Sequence, residues 1–294
     1  MLVMAREALA RGEAARCEQR YRRAELACVA CHAIGGAGGK IGPDLTSIGA
    51  SAPPDYLVEA LLYPNAKIKE GYHSVLLSTA DGQEHSGMIT RETENEILLR
   101  NAANQVVSLS TKNITRRTSV GSLMPAGLLD SLLPEERCDL IKFLSQLGKP
   151  GDFDASRGGV ARAWKLYLIV SGNQHRGSER VVRGDFSLES WVPVLALASG
   201  ALPVEAIDGA FATRTNNRGL FAAAQFESAR GGKVAFTLAG AASSAWLNGN
   251  LLTPGAQFTA EVQPGLNTLV LQIDPVNPPR ALRLSAGEVS FRTE

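Results

Sequence analysis

The stretch Cys28-Val29-Ala30-Cys31-His32 constrains this chain more than any other. Two cysteines separated by two residues and followed at once by histidine form the attachment signature of a c-type haem. The spacing has a mechanical basis. On one helical turn both thiols reach the two vinyl groups of a single porphyrin, and the next residue offers its imidazole to the iron. Two other readings compete, a thioredoxin-like redox pair and half of a zinc site. The first needs a βαβ setting, and the second needs another ligand pair at metal spacing. Neither is visible, because Cys17 and Cys138 are the other two cysteines and stand far apart. The reading is one covalently attached haem c, with Cys28 and Cys31 as attachment residues and His32 as an iron ligand.

Two further stretches make sense around such a haem. Gly42-Pro43-Asp44-Leu45 follows the glycine-rich run over 35–39. The Pro43 carbonyl is expected to accept the Nδ1 hydrogen of His32, which turns Nε2 toward the iron. Far downstream lies Ser122-Leu123-Met124-Pro125, a methionine in a loop braced by proline. A thioether in the sixth position completes the His/Met ligation that raises a reduction potential. A lone methionine is otherwise a gap-filler in a core. Of the four methionines, Met1 and Met4 precede any folded pattern and Met88 falls on an expected strand, so Met124 is the candidate ligand.

Together these three stretches resemble the haem-binding cytochrome c domain of planctomycete-type proteins, over about residues 12–150. The resemblance implies a class I cytochrome c fold with a β-insertion, in a family often fused to dehydrogenase or repeat domains. It also implies glycine where Cys17 stands, four residues before the aromatic Tyr21, so that the first and last helices can approach. Cys17 and Cys138 are read as two buried thiols; a bridge between them is the alternative in an oxidising compartment.

The expected architecture is a mainly α class I cytochrome c fold with an inserted small β-sheet or barrel, followed by an all-β sandwich resembling a jelly roll. Residues 1–12 read as the tail of an upstream segment, and 13–150 as the cytochrome c domain. Apolar steps at Ala14, Cys17, Tyr21, Ala24 and Cys28 predict one helix over 13–31. A second helix is expected over 53–62 and a last one over 134–147, both opened by proline. Between them the period falls to two. Five strands are expected at 72–79, 84–91, 96–100, 105–110 and 113–117, within an insertion of about 70–118. Residues 151–159 read as a linker.

From 160 to 294 short strands alternate with turn residues, clearest at 164–170, 234–238, 245–247, 267–273 and 288–292. A carbohydrate ligand is one reading for this part, which would need exposed aromatics, with Trp191 and Trp246 available. Tryptophan in a sandwich is more often core.

Charge narrows the partners. Lysine and arginine number 30 against 29 acids, with 17 and 17 through residue 150 and 13 and 12 after it. So even a balance offers no field for nucleic acid. No run reaches the roughly 20 apolar residues that cross a bilayer. The expected function is single-electron transfer between a periplasmic dehydrogenase and a downstream acceptor, in an exported protein whose signal lies outside the sequence. The alternatives are a five-coordinate haem enzyme or a gas or peroxide sensor, and a glycan-binding module with an accessory haem. No catalytic residues are assigned: His73, His85 and His175 are scattered.

Overall fold

The computed structural model describes residues 1–22, 26–169, 178–211 and 219–293. The chain divides into two compact units, Met1–Asp154 and Ala155–Glu294. Strand outweighs helix, 37% against 22%. This corrects the expected mainly α class I cytochrome c fold. The three proline- and cysteine-marked helical segments dominate the sequence signal, yet one of them is broken and the strands between and after them are longer than alternation suggests.

The first unit opens with α1 (Leu2–Arg11), α2 (Ala14–Tyr21) and the single-turn α3 (Cys28–Cys31). The one helix expected over 13–31 is therefore interrupted; Arg23 and Ala24 lie outside the described residues. Ala27 takes a left-handed backbone conformation, φ 51°, which a right-handed helix cannot pass through. Residues 1–12 pack into this unit. Ala5 and Ala8 are buried, and Lys142 Nζ donates to Leu9 O at 2.7 Å.

A small pair, β1 (Ala33–Ile34) and β2 (Ala37–Gly38), precedes α4 (Ile48–Ser51) and α5 (Pro54–Leu62). Proline at the start of α5 loses no helical hydrogen bond, and Asp55 complements the positive end of the dipole. Five antiparallel strands follow: β3 (His73–Thr79), β4 (Glu84–Glu92), β5 (Glu96–Arg100), β6 (Val106–Ser110) and β7 (Ile114–Ser122). Their order, β6-β5-β4-β3-β7, is an open sheet rather than a closed barrel. Alternation buries Val75, Leu77, Ile97, Leu99 and Leu109 on one face. Strand β7 runs on to Ser122, with His73 opposite Ser122, so the sheet leads directly into the Met124 loop.

The last helix of this unit is α6 (Pro134–Gln146). Glu136 Oε2 accepts the Leu133 N–H at 3.0 Å, satisfying a donor at the helix entrance. Cys138, Leu140, Ile141, Phe143 and Leu144 are buried. Asp139, fully buried, accepts the Glu13 N–H at 2.8 Å and pairs with Arg16 Nε at 2.7 Å, pinning the start of α2 to α6. Gly12 lies hard against the last helix. A Cβ on Gly12 would lie 2.5 Å from Cys138 O and 2.7 Å from Lys142 Cβ. Among the described residues no disulfide forms, and Cys17 and Cys138 are separate buried thiols.

The second unit holds β8 (Ala163–Ile169), α7 (Ser178–Val182), β9 (Val192–Leu195), β10 (Leu202–Pro203) and α8 (Val204–Ala210). It continues through β11 (Gly219–Ser228), β12 (Gly232–Ala239), β13 (Ser244–Leu247), β14 (Asn250–Leu252), β15 (Gln257–Val262), β16 (Gly265–Ile273), β17 (Ala281–Ser285) and β18 (Ser290–Phe291). Two sheets result: β10-β17-β12-β15, and β14-β13-β16-β11-β8-β9 with β18 on β11. Two short helices join them, so the unit is not purely β as expected. Strand β12 alternates, sending Val234, Phe236 and Leu238 into the core between the sheets. Strand β11 does not alternate, because a second apolar cluster around Trp191 and Phe221 covers its other face. Val170 and His175 lie outside the described residues.

Asn267 is the polar pin of this unit. Its fully buried amide donates to Gln263 O at 2.7 Å and Gly265 O at 3.0 Å. Its Oδ1 accepts from Gln263 N and Asn248 Nδ2, each at 2.9 Å. Asn267→Ala strands these partners, and we expect it to lower stability by about 2–3 kcal/mol in denaturant unfolding. A change within about 0.5 kcal/mol, typical of a surface position, would contradict that role.

Candidate functional site

A cavity of about 420 Å³ lies in the first unit, within the range of about 300–1,000 Å³ that small molecules and cofactors occupy. Its lining is largely apolar, drawn from α2, α3, α5, α6 and the loops around them. Cys28, Cys31, His32, Pro43 and Met124 all line it, so the residues singled out in the sequence share one site.

The attachment segment is held by its own backbone and by the glycine loop after it. The His32 N–H donates to Cys28 O at 2.8 Å, closing α3. The loop then folds back, with Gly39 N–H on Val29 O at 2.9 Å and Gly42 N–H on Cys31 O at 2.7 Å. Gly42 lies flat against the imidazole. A Cβ there would fall 2.6 Å from His32 Nδ1 and 2.8 Å from Nε2, so only glycine fits. Pro43 O lies 2.7 Å from His32 Nδ1. A carbonyl only accepts, so Nδ1 carries the hydrogen and Nε2 keeps its lone pair. Burial pushes the His32 pKa down against the opposing pull of the Pro43 carbonyl and Asp44, favouring the neutral ring. Tyr21 Oη donates to His32 O at 3.3 Å.

Burial disfavours ionisation of both thiols. Burial pushes Cys28 up to about 11, and burial also raises Cys31. A redox nucleophile or a zinc ligand needs the thiolate, and this environment disfavours it. Among the described residues no group of three His, Cys, Asp or Glu side chains gathers to hold a metal ion. Neutral thioethers, by contrast, suit a desolvated wall. The apolar lining, the two thiols and a neutral imidazole are compatible with an apolar group held covalently at this site.

Met124 lines the same cavity on the loop after β7. Its N–H donates to Ser122 Oγ at 3.1 Å, and Asn65 Oδ1 accepts the Ser122 N–H at 2.9 Å. Met88 on β4, opposite Ser74 on β3, also reaches the cavity. Sequence reasoning missed Asn65 and Ser74, whose hydroxyl donates to Gly121 O at 2.7 Å. It also missed Lys67 and Lys69 at the cavity, where Lys67 meets Glu59 at 2.5 Å and lies 5.8 Å from the Tyr56 ring. No local motif marks these residues. His73 is exposed on β3 and His85 half-buried on β4, and neither lines the cavity.

In the second unit Trp191 and Trp246 are not open platforms. Trp191 is buried against Tyr167 and Phe186, with its Nε1 donating to Asp185 O at 3.0 Å. Trp246 packs against Phe221, ring centroids 6.1 Å apart. No protein-family model matches the chain, and no curated protein matches it.

Proposed function

We propose that this chain is a monohaem c-type electron-transfer protein, with Cys28 and Cys31 as thioether anchors and His32 and Met124 as axial ligands. One observation carries the reading: an imidazole and a thioether from distant parts of the sequence line the same apolar cavity as both cysteines. A haem bound there supplies reversible one-electron chemistry at iron. The chain's own residues set the conditions for it. Pro43 O keeps the hydrogen on His32 Nδ1, Gly42 fixes the ring plane, and the leucines and isoleucines of the cavity exclude water. Exclusion of water and a thioether ligand both favour the reduced, less charged state.

The resemblance to planctomycete-type haem-binding domains extends the proposal to an exported protein serving a dehydrogenase and a downstream acceptor. Among the described residues no helix is long and apolar enough to cross a membrane.

Absorption spectra of the oxidised and reduced protein test the proposal. The expected result is a low-spin haem with the near-infrared methionine-to-ferric-iron band. Met124→Ala is expected to abolish the band, lower the potential and admit added ligands. Protein that carries no haem after export alongside a c-type maturation system would refute the proposal. Ligand binding to the unmutated protein would favour an open-face haem enzyme or sensor instead.

A further inference from the structure

The Met124 loop lacks regular structure, and Pro125, Ala126 and Gly127 beyond it are exposed. Packing alone gives such a loop little hold. Backbone groups on its entry side are nonetheless tied down in series. The buried Ser74 hydroxyl takes Gly121 O at 2.7 Å, and Asn65 Oδ1 takes the Ser122 N–H at 2.9 Å. The Ser122 hydroxyl then takes the Met124 N–H at 3.1 Å. Gly121 has φ +92°, and its missing Cβ is the space into which Asn65 Oδ1 fits. Asn65 follows directly on Pro64, which lines the cavity just beyond α5.

We propose that Asn65 is a positioning residue for Met124: its amide oxygen ties the α5 side of the cavity to the ligand loop and holds the thioether in place. This rests on the haem reading above. Asn65 is exposed, so its removal opens no core and acts through the loop. The consequence is a sixth ligand that dissociates more readily when Asn65 cannot accept a hydrogen bond.

The test uses the haem-loaded ferric protein, with imidazole titration and the near-infrared methionine band as readouts. Asn65→Ala is expected to bind imidazole about tenfold more tightly, the equivalent of about 1.4 kcal/mol, with a weakened band and haem still covalently held. Asn65→Asp keeps an acceptor oxygen at the same reach and is expected to stay within about twofold of the parent. If Asn65→Ala matches the parent, or if Asn65→Asp behaves like Asn65→Ala, the positioning role is refuted while the haem reading stands. Should Asn65→Ala not be recovered folded, Asn65→Leu, a side chain of similar size without an acceptor oxygen, is read in the same way. A parent protein whose haem lacks the methionine band fails the Met124-ligand reading itself, and this inference with it.

Discussion

Replacing Cys28 and Cys31 together by alanine is expected to leave a protein with no haem after acid-acetone extraction, where the parent keeps all of it. Both thiols sit on the single turn α3 and line the cavity with His32. Each forms one thioether in the proposed state, so either single substitution leaves one covalent link and the pair leaves none. The extraction separates covalent from merely bound haem, because acid breaks the imidazole ligation by protonating the ring. It also separates this reading from the competing thiol chemistries. A redox pair would show a thiol titrating well below its ordinary value, and burial moves Cys28 and Cys31 the other way. Acid-resistant haem in the double variant would show that the attachment residues lie elsewhere.

Gly42→Ala is expected to destabilise the first unit by about 3 kcal/mol and to disturb the axial imidazole at the same time. The added methyl would occupy the space of the His32 ring, within 2.6 Å of Nδ1. Neither partner has an easy retreat. The ring is tied through Nδ1 to Pro43 O at 2.7 Å, and the glycine backbone is tied through its N–H to Cys31 O at 2.7 Å. Relief therefore breaks one of two part-buried hydrogen bonds, in addition to the cost of overpacking. Equilibrium unfolding in denaturant measures the loss, and the absorption spectrum reports the change in ligation. Unchanged unfolding and an unchanged spectrum would mean that the loop is free to shift, and that Gly42 has no part in setting the ring.

Much of the first unit is legible because its signals are local. The cysteine spacing, proline at the starts of α5 and α6, and the period-two apolar residues of β3 and β5 each depend on residues within a few positions of one another. Strand β11 shows where such reading stops. Gly-Leu-Phe-Ala-Ala-Ala-Gln-Phe-Glu-Ser has alanines where strands prefer branched residues, and no alternation. It is nonetheless central to its sheet, because both faces are covered and small side chains fit there. The break in the expected helix over 13–31 is similar. Nothing in the apolar spacing announces the left-handed Ala27, and the loop that folds back onto α3 reaches it only from Gly39 and Gly42, beyond the span of a helical repeat.

The sequence alone determined the chemistry on offer: two thiols and an imidazole on one turn, a carbonyl to hold the imidazole hydrogen, and a thioether in a proline-braced loop. The two thiols and the imidazole share one turn, whose dimensions the backbone limits. Only the tertiary structure decided that the thioether and the imidazole line one cavity. It also decided that Gly12 sits against the last helix, and that Asn65 and Ser74 tether the Met124 loop. Each of these is a contact between segments far apart in sequence. Its partner is chosen by how the sheet and helices pack, which no spacing of residues along a single segment encodes.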